Sequence, residues 1–262
     1  MSLYPFAGAH AVQSAAFALE WPVEISEAEI NGIAGQREKL KPSLTDMSPL
    51  QTLTFQMMGG QSGGTTSAIP GGYVFSRPGP AGPARVLEVQ RNRMVGQVND
   101  YTRWEPVWKE VRSWFDTLAP LLGKRQFTSV GLQYNDVFHW RDTPESLDLK
   151  QVFKVGSPLL PSNAFELTNL WHSHHGYFLD RNEPIKHRLL ENVNVNLLEE
   201  LGQRSIVITT VHKAEINIWS WEEVSKCIDA LMSDLHKRNK DNLGRLLSDD
   251  AAGKISLFKG GE

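Results

Sequence analysis

The chain is poor in cysteine and lacks a hydrophobic run long enough to cross a membrane. Its 262 residues include one cysteine, Cys227, so no disulfide can form within the chain, and a lone thiol is typical of a reducing compartment. The first residues lack a basic start, and no stretch reaches the roughly 18 apolar residues that a membrane span needs. We therefore expect a cytoplasmic protein with no membrane partner.

A strong excess of one charge is also missing. Lysine and arginine number 27 against 30 aspartate and glutamate, which gives a net charge of −3. This balance does not favour a nucleic-acid partner, although it is compatible with a local basic patch. The chain also lacks a Walker lysine, a dinucleotide fingerprint and a nucleophile-elbow motif, so we predict no cofactor.

Two amphipathic stripes are the clearest positive signals. Apolar residues recur at spacings of three and four in two sets: Trp104, Val107, Trp108, Val111, Phe115, Leu118 and Leu122, and then Trp221, Val224, Ile228, Leu231, Met232 and Leu235. This period predicts helices over 102–122 and 220–237. Thr102 with Glu105, and Ser220 with Glu223, have the spacing of capping boxes at the two helix starts.

Runs of predicted strands precede both helices, which is an α+β pattern. We predict antiparallel sheets, each covered by one long amphipathic helix. The sequence W-E-x-V-x-K begins both helices, and it raises the possibility of two related halves, 1–123 and 124–262, packed as one unit. The segment 59–72, rich in glycine, is predicted to be a loop.

An ordered series of motifs resembles a known family. The series is Q-R-N-R at 90–93, N-D-Y-T-R-W-E at 99–105, the first long helix, and V-G-L-Q-Y-N at 130–135. It is similar to a sporadically distributed prokaryotic family of uncharacterised proteins of similar length. The likeness touches most of the chain and is densest over 85–140. The resemblance implies no particular activity, and the patchy distribution of the family implies an association with accessory or defence loci.

A histidine cluster is the most suggestive set of metal ligands. His172 and His174 are two residues apart, so on a strand they share a face and both can reach one metal ion. His212, on a later predicted strand, is a candidate third ligand, and Asp180 and His187 are further candidates. The alternative interpretation is an exposed strand or loop without metal, because no HExxH or cysteine spacing accompanies the cluster.

Two other groups are candidates for binding a ligand. Arg91, Arg93 and Arg103 cluster near one turn and one helix start, where they suit a phosphate or a carboxylate. The second group lies in a predicted strand and offers hydrogen bonds to a ligand or a general base: Tyr134, Asn135 and Asp136. A solvated sheet face with salt bridges, and an asparagine that ties strands together, are the structural alternatives.

These patterns lead to three hypotheses about function. The first is a non-catalytic intracellular binding or regulatory protein with a protein partner. The second is a metal-dependent hydrolase built on the histidine cluster. The third is a nucleotide or nucleic-acid binder that uses the arginines and an aromatic sheet surface.

Overall fold

The computed structural model of the chain describes residues 2–57, 64–167 and 169–258, and within these ranges all side chains except those of 52–69. The strands are β1 (Leu3–Pro5), β2 (Val12–Glu20), β3 (Asp46–Met57), β4 (Gly64–Gly79), β5 (Gly82–Gln90), β6 (Arg93–Val98), β7 (Phe127–Trp140), β8 (His172–Arg181), β9 (His187–Glu200) and β10 (Gln203–Ile218). The α-helices are α1 (Glu27–Ala34), α2 (Arg37–Leu40), α3 (Trp104–Leu118), α4 (Trp221–Leu246) and α5 (Asp249–Lys254).

The strands form one ten-stranded sheet in the order β3-β4-β5-β6-β2-β7-β10-β9-β8, with β1 paired to β7. Neighbouring strands such as β8 and β9, or β9 and β10, run antiparallel. The predicted α+β class with an antiparallel sheet is confirmed. None of the helices in the described part of the chain is both long and apolar enough to cross a lipid bilayer.

The chain divides into two compact units. Unit 1 comprises Met1–Ala16, Val130–Ile216 and Cys227–Glu262, and unit 2 comprises Phe17–Ser129 and Asn217–Lys226. The division into 1–123 and 124–262 stays a prediction.

Aromatic packing on α3 builds the core of unit 2. Phe17 of β2 lies against the rings of Trp104 and Trp108, with centroids 5.9 and 5.7 Å away. Trp114, which the predicted stripe omitted, is also buried, and its indole Nε1 donates a hydrogen bond to Ser43 Oγ at 2.8 Å. The predicted stripe is therefore largely buried, as its period requires.

The helix boundaries differ from the prediction at two places. α3 begins at Trp104 after Arg103, without a side-chain cap, so the capping box predicted at Thr102 is wrong. α4 continues to Leu246, well beyond the predicted end near residue 237. The apolar stripe ends there because Asn239 and Asn242, which are buried polar residues, occupy the core-facing positions of the last turns.

The predicted glycine-rich loop over 59–72 lies partly outside the described residues. Residues 64–72 belong to β4, which pairs with β3 and β5, so the loop prediction is wrong for that part. Glycine suits this strand because Gly72 has a φ of +139°, beside a register shift between Leu50 and Gln51 of β3.

We expect Gly72→Ala to lower the free energy of unfolding by at least about 3 kcal/mol. A Cβ at this position would overlap the carbonyl oxygen of Val89, and the positive φ adds strain. Gly32→Ala in α1 is the matched control, because a Cβ there meets nothing within 4 Å and the helix should gain about 0.5–1 kcal/mol. Urea denaturation measures both; equal effects would contradict the close approach at Gly72.

Candidate functional site

The three predicted arginines do not form one anion site. Arg91 uses its guanidinium on main-chain carbonyls: Nη2 lies 2.7 Å from Pro70 O, and Nη1 lies 3.3 Å from Ile25 O. Arg93 is exposed, with Nε 2.9 Å from Gln90 Oε1. Arg103 is exposed immediately before α3. Within the described part of the chain, these three guanidinium groups share no hydrogen-bond partner.

Tyr134 and Asn135 belong to unit 1 and lie on opposite faces of β7. Tyr134 is buried, and its hydroxyl lies 3.0 Å from Nδ1 of His236 on α4. Asn135 points to the other face, where its amide donates to Ser14 Oγ at 3.0 Å and its Oδ1 accepts from Thr209 Oγ1 at 2.8 Å. Asn135 therefore ties strands together, and the structure does not bring the two side chains to one site.

The three predicted metal ligands lie on two faces of the sheet. Tyr177 of β8 pairs with Glu191 of β9, which pairs with His212 of β10, so these three side chains share one face. His172 and His174 are odd numbers of residues away from Tyr177, so they point to the opposite face. Among the described residues, no group of three or more His, Cys, Asp or Glu side chains is arranged to hold a metal ion. The predicted three-histidine set is not assembled.

Behind β8, β9 and β10 is a buried polar layer, which we define as Tyr177, Glu191, His212, Arg238 and Asn242. Glu191 is 2% exposed and lies at its centre. Its carboxylate accepts hydrogen bonds from Tyr177 Oη at 2.6 Å, Arg238 Nη1 at 2.6 Å and Asn242 Nδ2 at 3.1 Å. Arg238 and Asn242 belong to α4, so the polar layer joins that helix to the sheet within unit 1.

Hydrogen bonding and burial shift the pKa values of the ionisable groups of the polar layer in opposite directions. Burial alone would raise the pKa of Glu191, but the three hydrogen bonds favour the carboxylate and hold the pKa below its usual value. His212 is fully buried, and among the described residues neither ring nitrogen has a hydrogen-bond partner of normal geometry. Desolvation lowers the pKa of His212 to about 4 despite the nearby Glu191, so this imidazole is neutral at pH 7.

Asp136 of β7 is a second buried acid in unit 1. It is 1% exposed, and its Oδ2 has no hydrogen-bond partner within the part of the chain that the structure describes. Burial raises the pKa of Asp136 to about 7, because ionisation would leave a charge without solvent. A perturbed carboxyl can mark a functional site, but burial by itself accounts for the raised pKa of Asp136.

At one edge of the sheet, the outward main-chain groups have no partner strand among the described residues. β8 is the last strand in the order, and Leu197 N of β9 donates to Trp171 O, the position just before β8. Because main-chain groups alternate in direction along a strand, odd-numbered residues of β8 bond to β9 and even-numbered ones point away from it. We call this outward-facing set the β8 edge: His172, His174, Gly176, Phe178 and Asp180.

The side chains of the β8 edge are exposed, as are its outward main-chain groups. All five of its residues are exposed, and Phe178 retains 54% of its accessible surface. Leu170, just before the strand, is 53% exposed. The strand from His172 to Arg181 contains neither proline nor lysine, the residues that usually block an edge from pairing. No strand among the described residues pairs with this side of β8.

The sequence contains signals for part of this arrangement. Glu191 interrupts the apolar alternation Leu189, Val193, Val195 and Leu197, and an acid in such a position indicates a buried partner. The sequence contains no comparable signal for the order of the strands, so the position of β8 at the edge could not be predicted from periodicity.

Comparison with protein-family models and with curated proteins finds no match for this chain. The fold and the site define it as an α+β protein with a large antiparallel sheet, a buried polar layer and an open sheet edge at β8.

Proposed function

We propose that the chain is a non-catalytic intracellular binding or regulatory protein that holds a protein partner by strand addition at the β8 edge. The observation that carries the proposal is the row of outward main-chain groups at His172, His174, Gly176, Phe178 and Asp180. An extended segment can satisfy such groups with its own main chain. Exposed Phe178 supplies an apolar contact for alternate side chains of that segment.

The polar layer supports this proposal by fixing the strand behind the edge. Tyr177 alternates with the outward residues, and its hydroxyl bonds to Glu191, which Arg238 of α4 also holds. A strand that is already ordered loses little conformational entropy when a partner adds to it. The edge is therefore prepared for pairing before the partner arrives.

The rival hypotheses have less support from the geometry. A metal-dependent hydrolase would need more ligands on the face of His172 and His174, since His212 points to the other face. A nucleotide or nucleic-acid binder would need free cations together, whereas Arg91 is held by carbonyl oxygens. Both stay proposals of lower rank.

The proposal extends to the architecture of the chain. α3 and α4 begin at Trp104 and Trp221, the first residues of the two W-E-x-V-x-K segments. We propose that α3 covers the strands of unit 2, that the part of α4 in unit 1 covers the strands of unit 1, and that the halves 1–123 and 124–262 are related. The contacts of Phe17 with Trp108, and of Glu191 with Arg238, support the covering within each unit.

Selection of linear peptides from a display library on sparsely immobilised protein tests the binding function. We expect the selected peptides to carry alternating apolar residues. We also expect Phe178→Lys to weaken the binding of these peptides at least about tenfold, because a charge on an edge strand opposes pairing. Val155→Lys is the control, since Val155 is 70% exposed and lies outside β8. Fluorescence anisotropy measures the affinities. Peptides that bind both variants as well as the wild type would contradict strand addition at this edge.

A further inference from the structure

We propose that the partner at the β8 edge is the β8 edge of a second copy of this chain, paired antiparallel about a two-fold axis. This inference rests on the proposed function, because it needs the edge to accept a strand. It adds the identity of the strand, which the residues of β8 themselves specify.

In one antiparallel register of two β8 strands, each outward residue lies opposite a residue of the other copy with which it can interact favourably. Outward residues must pair with outward residues, so an antiparallel pair centred on Gly176 places His172 opposite Asp180 of the other copy and His174 opposite Phe178. The two-fold axis repeats each pair. The result is two imidazole–carboxylate pairs at the ends and two imidazole–phenyl pairs inside them, both favourable across strands.

Pairing with a second copy explains the glycine at position 176 better than the fold of the isolated chain does. Gly176 has no positive φ, and a Cβ there would make only an ordinary 3.4 Å contact with Glu191 O. The fold of one chain therefore does not require glycine at this position. On a two-fold axis, identical residues face each other across the new strand pair, and glycine lets them approach without side-chain contact.

The size of the contact sets its strength. A strand pair of about nine residues a side with two exposed phenylalanines belongs to the small, transient class of interfaces. We therefore expect a reversible dimer with a dissociation constant on the order of 10 μM. Flanking Leu170, exposed just before β8, adds apolar area at the end of the contact.

Sedimentation velocity of the full chain from about 1 to 500 μM tests the proposal. The wild type should shift from monomer to dimer as concentration rises. Gly176→Pro should abolish the dimer, since it removes an outward N–H at the centre of the pair while the bonds to β9 come from odd-numbered residues. Phe178→Lys should weaken the dimer by roughly a hundredfold, and Val155→Lys should leave it unchanged. Circular dichroism and urea denaturation verify that each variant is folded.

A charge exchange tests the register even if proline disturbs the strand. His172→Asp should weaken the dimer roughly tenfold, because it places two carboxylates opposite each other at both ends. Asp180→His alone should also weaken it. Combining the two changes restores opposite partners and should recover most of the wild-type affinity.

The outcomes separate this inference from the proposed function. A wild type that stays monomeric at about 500 μM, while selected peptides still bind at Phe178, overturns the second copy and leaves strand addition standing. A dimer that is unaffected by the β8 changes overturns the inference, and peptides insensitive to Phe178→Lys would then overturn the proposed function as well. A dimer lost in His172→Asp and not recovered in the double variant overturns the register centred on Gly176.

Discussion

Asp136→Asn should stabilise the protein increasingly as pH rises. The difference in unfolding free energy between the variant and the wild type should grow by about 4 kcal/mol between pH 4 and pH 8, since each tenfold change in proton affinity corresponds to about 1.4 kcal/mol. The cause is burial of the side chain, which raises the pKa of Asp136 to about 7. Asparagine has a similar shape and no charge to desolvate.

The sign follows from proton binding. Between the unfolded pKa near 4 and the folded pKa near 7, the folded chain holds a proton on Asp136 that the unfolded chain has lost. Raising the pH through this window therefore favours the unfolded wild type, and the loss is complete above pH 7. His212 acts in the opposite direction: desolvation lowers its pKa to about 4, so it destabilises the fold as pH falls below about 6.5.

Subtracting wild type from variant at each pH removes the contribution of His212 and of every other unchanged group. Urea denaturation followed by tryptophan fluorescence at pH 4, 5, 6, 7 and 8 supplies the curves. Asp46→Asn is the control, because Asp46 is exposed at the start of β3, and it should change stability by less than about 0.5 kcal/mol at any pH. A difference for Asp136→Asn that stays flat with pH would show that solvent reaches this carboxyl.

Periodicity predicted what depends on one element and its immediate environment. The helical stripes were correct because an apolar residue every three or four positions directly encodes one buried face. Nearly all members of both stripes are buried, including Phe115 and Ile228. The α+β class followed from the same kind of pattern. Apolar and polar residues alternate along a half-buried strand, whereas apolar residues recur every three or four positions along a helix.

The candidate site was less predictable because it depends on strand order and on the face to which each strand turns. His172 and His174 were correctly placed on one face of a strand, yet nothing in their spacing shows that His212 faces the other way. That relation depends on the register of β8, β9 and β10, which long-range pairing sets. Likewise, Asn239 and Asn242 made the second stripe end early, although they continue the buried face of α4 with polar groups.

The polar layer also makes a strong prediction about Arg238. Arg238→Ala should lower the free energy of unfolding by about 3–5 kcal/mol, because it leaves the carboxylate of Glu191 buried without its cation. Arg238 Nη1 lies 2.6 Å from Glu191 Oε1, and Glu191 is 2% exposed. The remaining donors, Tyr177 and Asn242, are neutral and compensate only in part.

Lys237→Ala is the matched control, since Lys237 precedes Arg238 on the same helix and pairs with Asp241 in solvent. Its loss should cost less than about 0.5 kcal/mol, because exposed pairs four residues apart on a helix contribute little. The double change Glu191→Gln and Arg238→Met should recover much of the stability lost in Arg238→Ala, because it removes the buried charge of Glu191. Asp234, which also pairs with Arg238, keeps 24% of its side chain in contact with solvent. Urea denaturation at pH 7 measures all three. If Arg238→Ala costs no more than Lys237→Ala, Glu191 is solvated in solution, and the polar layer does not fix the strand behind the β8 edge.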